Sequence, residues 1–416
     1  MEHNEMDHNE MDHNEIDHNE MDHQNDLFES ICILIEAYIH NNIIQYIQPN
    51  FHAMIVKDIV ALMTLSLPID DTDLAPLVER GLALFYKHIA PPRSNGTTFI
   101  RRKPNINKLR ERITYLQNVP QPEQRTTAWY EFRYKHLTAS NIWKVFISDS
   151  TRNQLIYEKC QPLLTGKFSG AVSLESPMHW GQKYEPLSVM LYEQIYTAKV
   201  SDFGCIPHRN LEFLAASPDG IVTEETSLRY GRMLEVKNIV NREITGIPKM
   251  EYWVQMQLQM EVCELNECDF LETRFIEYPD KETFDSDLET PYKGMLMLFM
   301  TGEGKPIYEY APLTSDGEKL DDWQEAMMEK NSTLSWMKNI YWKLDQISCV
   351  LVLRNKMWFA AAVPQLKAIW DTIEKEKQTG YSHREPKRAG GVKVKKMNSN
   401  GEDIEMKAQC FITIET

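Results

Sequence analysis

The stretch AASPDGIV at residues 215–222 is followed closely by RMLEVKNIV at residues 232–240. The first predicts a strand that runs into a tight turn at its Pro-Asp-Gly, because glycine after aspartate is typical of turns. The second alternates with a period of two, which predicts the next strand, and residues two apart in a strand share a face. Glu235 and Lys237 therefore point the same way, and the turn can bring Asp219 alongside them.

Two carboxylates and an ammonium gathered in this way suit a metal-dependent hydrolase. Like charges packed together are costly unless a cation joins them, and Mg²⁺ typically uses one or two protein carboxylates together with water and substrate phosphate. The backbone carbonyl of Val236 is a further candidate ligand. Such a site would polarise a phosphodiester and activate water, with Lys237 orienting that water or stabilising charge. Alternatively, Asp219 only shapes the turn, and Glu235 forms a surface pair with Lys237.

Three other segments carry polar side chains that suit the same chemistry. HWGQKYEPLSVMLYEQIY (179–196) predicts a helix with Glu185 in its first turns. WYEFRYKHLTASNIWKVF (129–146) places Arg133 upstream of a Thr-Ala-Ser where a helix would begin, and a helix N-terminus with Ser or Thr binds phosphate well. YWVQMQLQMEVCELNECDF (252–270) alternates glutamines before a β-rich end. These glutamines are Gln255, Gln257 and Gln259.

In this order the segments resemble the PD-(D/E)XK nucleases of the phage lambda exonuclease type, also called YqaJ-like viral recombinases. Five motifs carry the resemblance over residues 126–275: W-x3-R-x4-TAS, W-G-x3-E-P, S-P-D-G, E-V-K and Y-W-x-Q-x-Q. The resemblance implies an α/β fold, a restriction-endonuclease-like core with a mixed central sheet flanked by helices. It also implies a Mg²⁺-dependent exonuclease, with Mn²⁺ as an alternative metal. Such an enzyme degrades one strand of linear duplex DNA from its 5′ end in viral-type recombination, repair or genome processing.

The resemblance also implies roles for single residues. Glu185 is similar to the helix-borne acid that completes the metal site. Gln257 resembles the active-site glutamine that helps to hold the water or the lysine, and Gln255 is a close competitor for that role. The residues that resemble the metal carboxylates and the catalytic lysine are Asp219, Glu235 and Lys237. The residues that resemble phosphate or DNA ligands are Arg133, Thr138 and Ser140, for which helix capping and surface charge are the alternative.

Composition divides the chain into parts. The predicted parts are a disordered acidic pentapeptide repeat (1–25), a helical domain (26–90), a basic linker (91–125), the nuclease core (126–315), a C-terminal helical part (316–380) and a basic tail (381–416). The repeat has no apolar periodicity with which to bury a core. Its regularly spaced histidines predict either weak metal capture or a solvated tail. The linker sequence IRRKPNINKLRERI predicts either phosphate contacts or a solvated helix face.

Bulk properties exclude several classes of protein. The net charge of −16 is partly local, because the first 25 residues hold nine acids and no Lys or Arg, so the rest has 52 acids against 45 bases. A DNA-binding groove is therefore still compatible with the charge. No run of about 18 apolar residues predicts a membrane span. Seven cysteines without a C-x-x-C pair indicate reduced thiols, and so a cytoplasmic protein, acting in the host cytoplasm or a viral factory if viral.

Other functions are compatible with the same motifs. A structure-specific endonuclease would share the fold, and closed circular DNA would separate it from an exonuclease. A catalytically idle DNA-binding or scaffold protein has no need of the full set of two carboxylates and a lysine. The predicted substrate is the end of double-stranded DNA. A single-strand annealing protein is a candidate partner for residues 26–90, and relatives that form trimers suggest a homo-oligomer.

Overall fold

The computed structural model describes most of the chain. The described residues are 10–66, 70–95, 104–124, 126–163, 174, 176–313 and 317–385, with two short strands, β11 (Lys396–Met397) and β12 (Asp403–Ile404). Residues 1–9 of the predicted repeat and most of the predicted basic tail lie outside them. None of the described helices is both long and apolar enough to cross a membrane.

The N-terminal region is a group of helices. They are α1 (Glu10–Asn41), a 3-10 helix (Ile43–Ile47), α2 (Phe51–Thr64) and α3 (Asp71–His88). Asp70 caps α3 by accepting a hydrogen bond from the Thr72 N–H, as the acidic start of that segment predicts. The prediction of disorder over 1–25 is wrong for residues 10–25, which continue α1. Residues 10–25 contain neither glycine nor proline, the two residues least favourable inside a helix.

The predicted basic linker contains a helix, α4 (Ile106–Asn118). Arg110 makes a bidentate ion pair with Glu225, at 2.6 and 2.7 Å. Arg112 donates to the carbonyl oxygens of Cys263, at 2.6 Å, and Val262, at 3.0 Å. These two bases therefore fasten α4 to the rest of the protein instead of facing solvent as a free phosphate-binding surface.

A seven-stranded mixed sheet forms the centre of the protein. Its strands are β2 (Val200–Ser201), β5 (Gly220–Val222), β6 (Met233–Asn238), β7 (Glu267–Glu277), β10 (Ser335–Leu353), β8 (Lys293–Met300) and β9 (Pro306–Tyr310), in that spatial order. Only β6 and β7 pair in parallel; the other neighbours are antiparallel. A second sheet joins β1 (Leu137–Thr138), β4 (Leu214–Ala216) and β3 (Ile206–Pro207).

Helices flank these sheets. They are α5 (Thr127–Tyr134), α6 (Lys144–Ile147), α7 (Asp149–Cys160), α8 (Pro177–Tyr196), α9 (Met250–Cys263), α10 (Lys281–Ser286), α11 (Gly317–Lys330), α12 (Lys356–Thr379) and a 3-10 helix (Ser382–Arg384). The predicted α/β fold, a mixed central sheet flanked by helices with an added N-terminal helical region, is confirmed.

The C-terminal part predicted as helical over 316–380 contains a long strand as well as helices. The 19-residue strand β10 runs through it and pairs with β7 on one side and β8 on the other. Ile340 and Trp342 of this strand are buried, whereas Trp336 near its start is exposed. The strand ends at Leu353 and α12 begins at Lys356.

One hydrophobic core joins the N-terminal helices to the sheets. Tyr46 stacks on Phe51 and on Trp253 of α9, with ring centroids 4.4 and 6.4 Å apart. Trp253 in turn meets Trp358 of α12 edge to face, with centroids 5.1 Å apart. The N-terminal helices therefore pack directly against α9, the helix that carries the glutamines of the candidate site.

Candidate active site

The hairpin of β5 and β6 brings the three predicted ionisable groups together. Gly220 pairs with Leu234, so the preceding Asp219 lies beside the middle of β6. Its carboxylate accepts a hydrogen bond from the Val236 N–H at 2.8 Å. Lys237 donates to the Glu235 carboxylate from the same face of the strand. The predicted spatial convergence of Asp219, Glu235 and Lys237 is present in the fold.

Burial makes it costly to keep the groups of this cluster charged. Glu235 is fully buried and Asp219 is half-buried. Burial raises the pKa of Asp219 well above its usual range, and the charge of Glu235 raises it further. Burial by itself would lower the pKa of Lys237, but the two carboxylates outweigh it and raise that pKa. Lys237 is therefore an ammonium at neutral pH, which suits a hydrogen-bond donor and excludes a proton acceptor.

Two glutamines of α9 hold the Glu235 carboxylate. Gln255 donates to its Oε1 and Gln259 to its Oε2, each at 2.7 Å. Gln257 faces the other way, donating to the Leu353 carbonyl at 3.0 Å and accepting from a backbone N–H at 2.7 Å. The structure therefore does not place Gln257 at the cluster as predicted, because residues four apart share a helix face and residues two apart do not.

The donor set of this cluster fits a hard divalent cation that keeps water and substrate ligands. Among the described residues, Glu235 Oε1 accepts from both Lys237 and Gln255, whereas Oε2 accepts from Gln259 alone, so Oε2 keeps acceptor capacity. In the described residues, no three carboxylate, imidazole or thiol groups converge closely enough to hold a metal alone. Two carboxylates match the habit of Mg²⁺, which keeps several waters and binds substrate phosphate.

The contacts of Glu185 and Val236 support only part of their predicted roles. Glu185 lies on α8 near enough for its charge to raise the pKa of Asp219, but it does not complete a three-ligand cluster. Val236 offers its N–H to Asp219, and a role for its carbonyl stays a prediction. A cleft of about 650 Å³ opens beside the site, and its walls include Asp219, Glu185 and the ring of Phe203. Asp219 and Glu185 can therefore be reached from this cleft, whereas Glu235 is fully buried.

The predicted phosphate ligands Arg133, Ser140 and Thr138 lie together in a second group of side chains, which carries the positive charge of Arg133 and which we call the basic pocket. Arg133, from α5, donates to the Ser140 hydroxyl at 2.8 Å, and its guanidinium lies over the Trp129 ring, 4.4 Å from the centroid. The Thr138 hydroxyl is 3.5 Å from that of Ser140. No helix begins at 138–140 as predicted, because β1 passes into a turn there and α6 starts at Lys144.

Strand pairing sets this pocket beside the carboxylates. β1 runs parallel to β4, with Thr138 opposite Ala215, and the Ala139 N–H donates to the Ala215 carbonyl at 3.1 Å. The chain that leaves β4 reaches Asp219 within four residues of Ala215. The ends of β1 and β4 therefore carry the basic pocket and the acidic cluster next to one another.

Two further residues of the site were not assigned roles from the sequence. Gln259 binds Glu235, and its spacing of four from Gln255 would have shown this once 252–263 was recognised as helix. Lys159 on α7 donates to the backbone carbonyls of Arg133 and His136, each at 2.6 Å. No sequence pattern indicates that contact, since it depends on how α7 packs against α5.

Comparisons with known proteins agree with the motifs. Residues 128–266 match the model of the YqaJ-like viral recombinase domain. The uncharacterized protein R354 of Acanthamoeba polyphaga mimivirus is 30% identical over 307 residues, which cover 63% of this chain and 54% of that protein. This chain thus spans about half the length of its curated viral relative.

Some solved structures of exonucleases are loosely similar. The alkaline exonuclease LHK-Exo of Laribacter hongkongensis is 20% identical, with a TM-score of 0.38 over 61% of this chain and 95% of that one. Its complex with dAMP gives 22% and 0.37 over the same shares. A phage related exonuclease from Haemophilus somnus 129PT gives 12% and 0.31 over 67% and 97%. The family model thus shows that residues 128–266 are similar to the YqaJ-like viral recombinase domain.

Proposed function

We propose that the protein is a divalent-metal-dependent deoxyribonuclease that degrades linear duplex DNA from its ends. The observation that carries this proposal is the convergence of Asp219, Glu235 and Lys237 under two glutamine amides. Gln255 and Gln259 fix the orientation of the fully buried Glu235 carboxylate beside Asp219 and Lys237. Preorganised groups of this kind are typical of sites that stabilise developing charge.

The residues of the chain divide the chemistry between them. Asp219 and Glu235 would hold Mg²⁺ or Mn²⁺, which supplies Lewis-acid polarisation of the scissile phosphate and a more acidic water. The Lys237 ammonium stabilises the charge that develops on the phosphoryl oxygens, or orients the attacking water. Arg133, with Ser140 and Thr138, grips a terminal or scissile phosphate through charge-assisted hydrogen bonds.

The finer parts of the proposal rest on the family resemblance. They are 5′-to-3′ direction, a role in viral-type recombination, repair or genome processing, action in the host cytoplasm or a viral factory, a single-strand annealing partner and a homo-oligomer such as a trimer. The match to a viral relative supports a viral context. Residues 26–90, which pack against α9, are better suited to supporting the site than to acting as a detached docking module.

An assay with purified protein tests the proposal. End-labelled linear duplex and closed circular DNA are each incubated with Mg²⁺ or with EDTA. We expect Mg²⁺-dependent loss of linear duplex only, with mononucleotides released from the 5′ end. Cutting of circular DNA would instead indicate an endonuclease, and binding without cutting an idle scaffold.

Variants connect the activity to the cluster. Glu235→Gln and Lys237→Met should each lower the rate by roughly 10²–10³-fold or more, as expected when a preorganised charge is lost. Lys199→Met is a matched control, because Lys199 is 71% exposed and pairs only with Glu193 at the surface. Unchanged activity of a folded Glu235→Gln protein would overturn the assignment.

A further inference from the structure

Lys159 is a buried cation that no part of the proposed mechanism uses. It is 8% exposed, and its ammonium donates to the carbonyl oxygens of Arg133 and His136, at the end of α5. The carboxyl end of a helix attracts a cation, so the contact fixes the turn from which the Arg133 side chain extends. An ammonium has three N–H donors, and these two carbonyls occupy two of them.

The Arg133 guanidinium and the Lys159 ammonium are close enough for the charge of Arg133 to lower the pKa of Lys159. Within the described residues, neither Arg133 nor Lys159 forms an ion pair with a carboxylate; Arg133 binds the Ser140 hydroxyl instead. The charged or titratable groups that face Lys159 are Arg133, His136, Lys377, Cys205 and Glu158. The single carboxylate among them, Glu158, already pairs with Lys144 at 2.8 Å. Burying unpaired positive charge is costly, so a ligand that brings negative charge would stabilise this pocket.

We propose that Lys159 is a positioning residue for Arg133 and the second positive charge of the phosphate pocket, so that the grip on DNA phosphate weakens as Lys159 loses its proton. The proposal rests on the proposed function only for the identity of the ligand as DNA. A lysine that was buried only for packing would not need to affect the affinity for phosphate.

The charge state of Lys159 gives the direction of the effect. Burial first, then the positive charges of Arg133 and Lys377, lower the pKa of Lys159 to about 7. The pocket therefore carries its full charge below neutral pH and loses one charge as pH rises. A bound phosphate favours the charged form, so the loss in the complex occurs above the pKa of the free protein.

Binding in EDTA separates this proposal from catalysis. A duplex oligonucleotide with a fluorophore at one end and a 5′-phosphate at the other is titrated with protein from pH 6 to 9, and the same duplex with a 5′-hydroxyl is the reference. The variants are Lys159→Met, Lys159→Arg and the control Lys281→Met, an exposed lysine paired with Asp285. Thermal unfolding of each variant checks its fold.

The expected results are specific to charge. Wild-type affinity for the phosphorylated duplex should fall as pH rises, and Lys159→Met should lower the affinity at pH 6 roughly tenfold and flatten the pH dependence. Lys159→Arg, which stays charged, should keep the high affinity at pH 9, and Lys281→Met should follow wild type. A flat wild-type profile, or a folded Lys159→Met protein with the wild-type profile, would overturn the proposal. Persisting pH-dependent binding without any DNA cleavage would overturn the proposed function and leave this one intact.

Discussion

Replacing Arg93 by methionine should destabilise the whole protein rather than its N-terminal part alone. Arg93 lies in the predicted linker, yet it is only 8% exposed. Its guanidinium donates to the carbonyls of Tyr46, at 2.9 Å, Ile47, and Pro248, at 2.7 Å. Its own carbonyl accepts from the Trp253 indole at 2.9 Å. One side chain therefore joins the 3-10 helix of the N-terminal region to the loop that leads into α9.

Two opposing terms set the size of the effect. Burial lowers the pKa of Arg93 from its ordinary value to about 9, and at about 1.4 kcal/mol per pKa unit the charge costs roughly 5 kcal/mol to bury. Three hydrogen bonds from a charged donor contribute about 1.5–3 kcal/mol each, or roughly 5–9 kcal/mol together. Methionine removes the cost of burying the charge together with the three hydrogen bonds, and it leaves three carbonyls without this donor. We therefore expect the free energy of unfolding to fall by about 2–4 kcal/mol.

Urea unfolding followed by tryptophan fluorescence and circular dichroism measures this loss. We expect one transition in both signals, at a lower midpoint and with an unchanged slope. The control is Arg80→Met, since Arg80 is exposed and stacks on Phe28, and it should change stability by no more than about 0.5 kcal/mol. Two separate transitions, with helix lost first and the fluorescence of the core retained, would refute the coupling of the two regions.

The remaining predictions concern the cluster itself. Gln255→Ala and Gln259→Ala should each lower nuclease activity roughly tenfold or more by releasing Glu235. Gln257→Ala, on the other face of α9, should mainly lower the melting temperature. Equal losses of activity in all three variants would contradict this division between the two faces of the helix. Asp219→Asn should raise the melting temperature without metal and abolish stabilisation by added Mg²⁺, as followed by thermal unfolding. Because the folded-state pKa of Asp219 is raised, its contribution to metal-free stability is present at low pH and is lost as pH rises through that pKa. The asparagine variant should therefore show a flatter dependence of melting temperature on pH.

The hairpin of the site could be predicted because its information is local. Alternation in RMLEVKNIV predicts the strand β6, and Asp219 lies beside it as predicted. The chain does not reverse at Pro-Asp-Gly, however: β4 before it belongs to the second sheet, and the hairpin with β6 is formed by β5, which turns between Val222 and Met233. To predict which glutamines bind Glu235, one must also know whether their segment is a strand or a helix. In a strand, Gln255 and Gln257 would share a face, whereas on the helix α9 it is Gln255 and Gln259 that do.

Other features depend on contacts that no single segment contains. The segment of β10 also spaces its apolar residues in a way that predicts a helix, and two long partners, β7 and β8, make it a strand. Arg93 was placed in a linker because its surroundings are rich in Pro, Gly and Ser, but its partners come from two distant parts of the chain. The contact between Lys159 and the end of α5 is likewise set only by tertiary packing.

The fold keeps the acidic cluster and the basic pocket from forming ion pairs with one another. In the described residues, Arg133 and Lys159 bind a hydroxyl and backbone carbonyls, and neither pairs with Asp219 or Glu235, although β1 and β4 bring the two sets to adjacent strand ends. Each set therefore destabilises the metal-free, DNA-free protein, as is common where stability is exchanged for function. A cation bound at the acidic cluster and a DNA phosphate bound at the basic pocket would each offset the cost of the charges that they contact. We therefore expect Mg²⁺ and a phosphorylated duplex together to raise the melting temperature of wild type most. Glu235→Gln, which keeps the basic pocket, should gain less, and Glu235→Gln combined with Lys159→Met should gain least. Equal shifts in melting temperature for all three proteins would show that the destabilisation by the two charge sets does not depend on ligand.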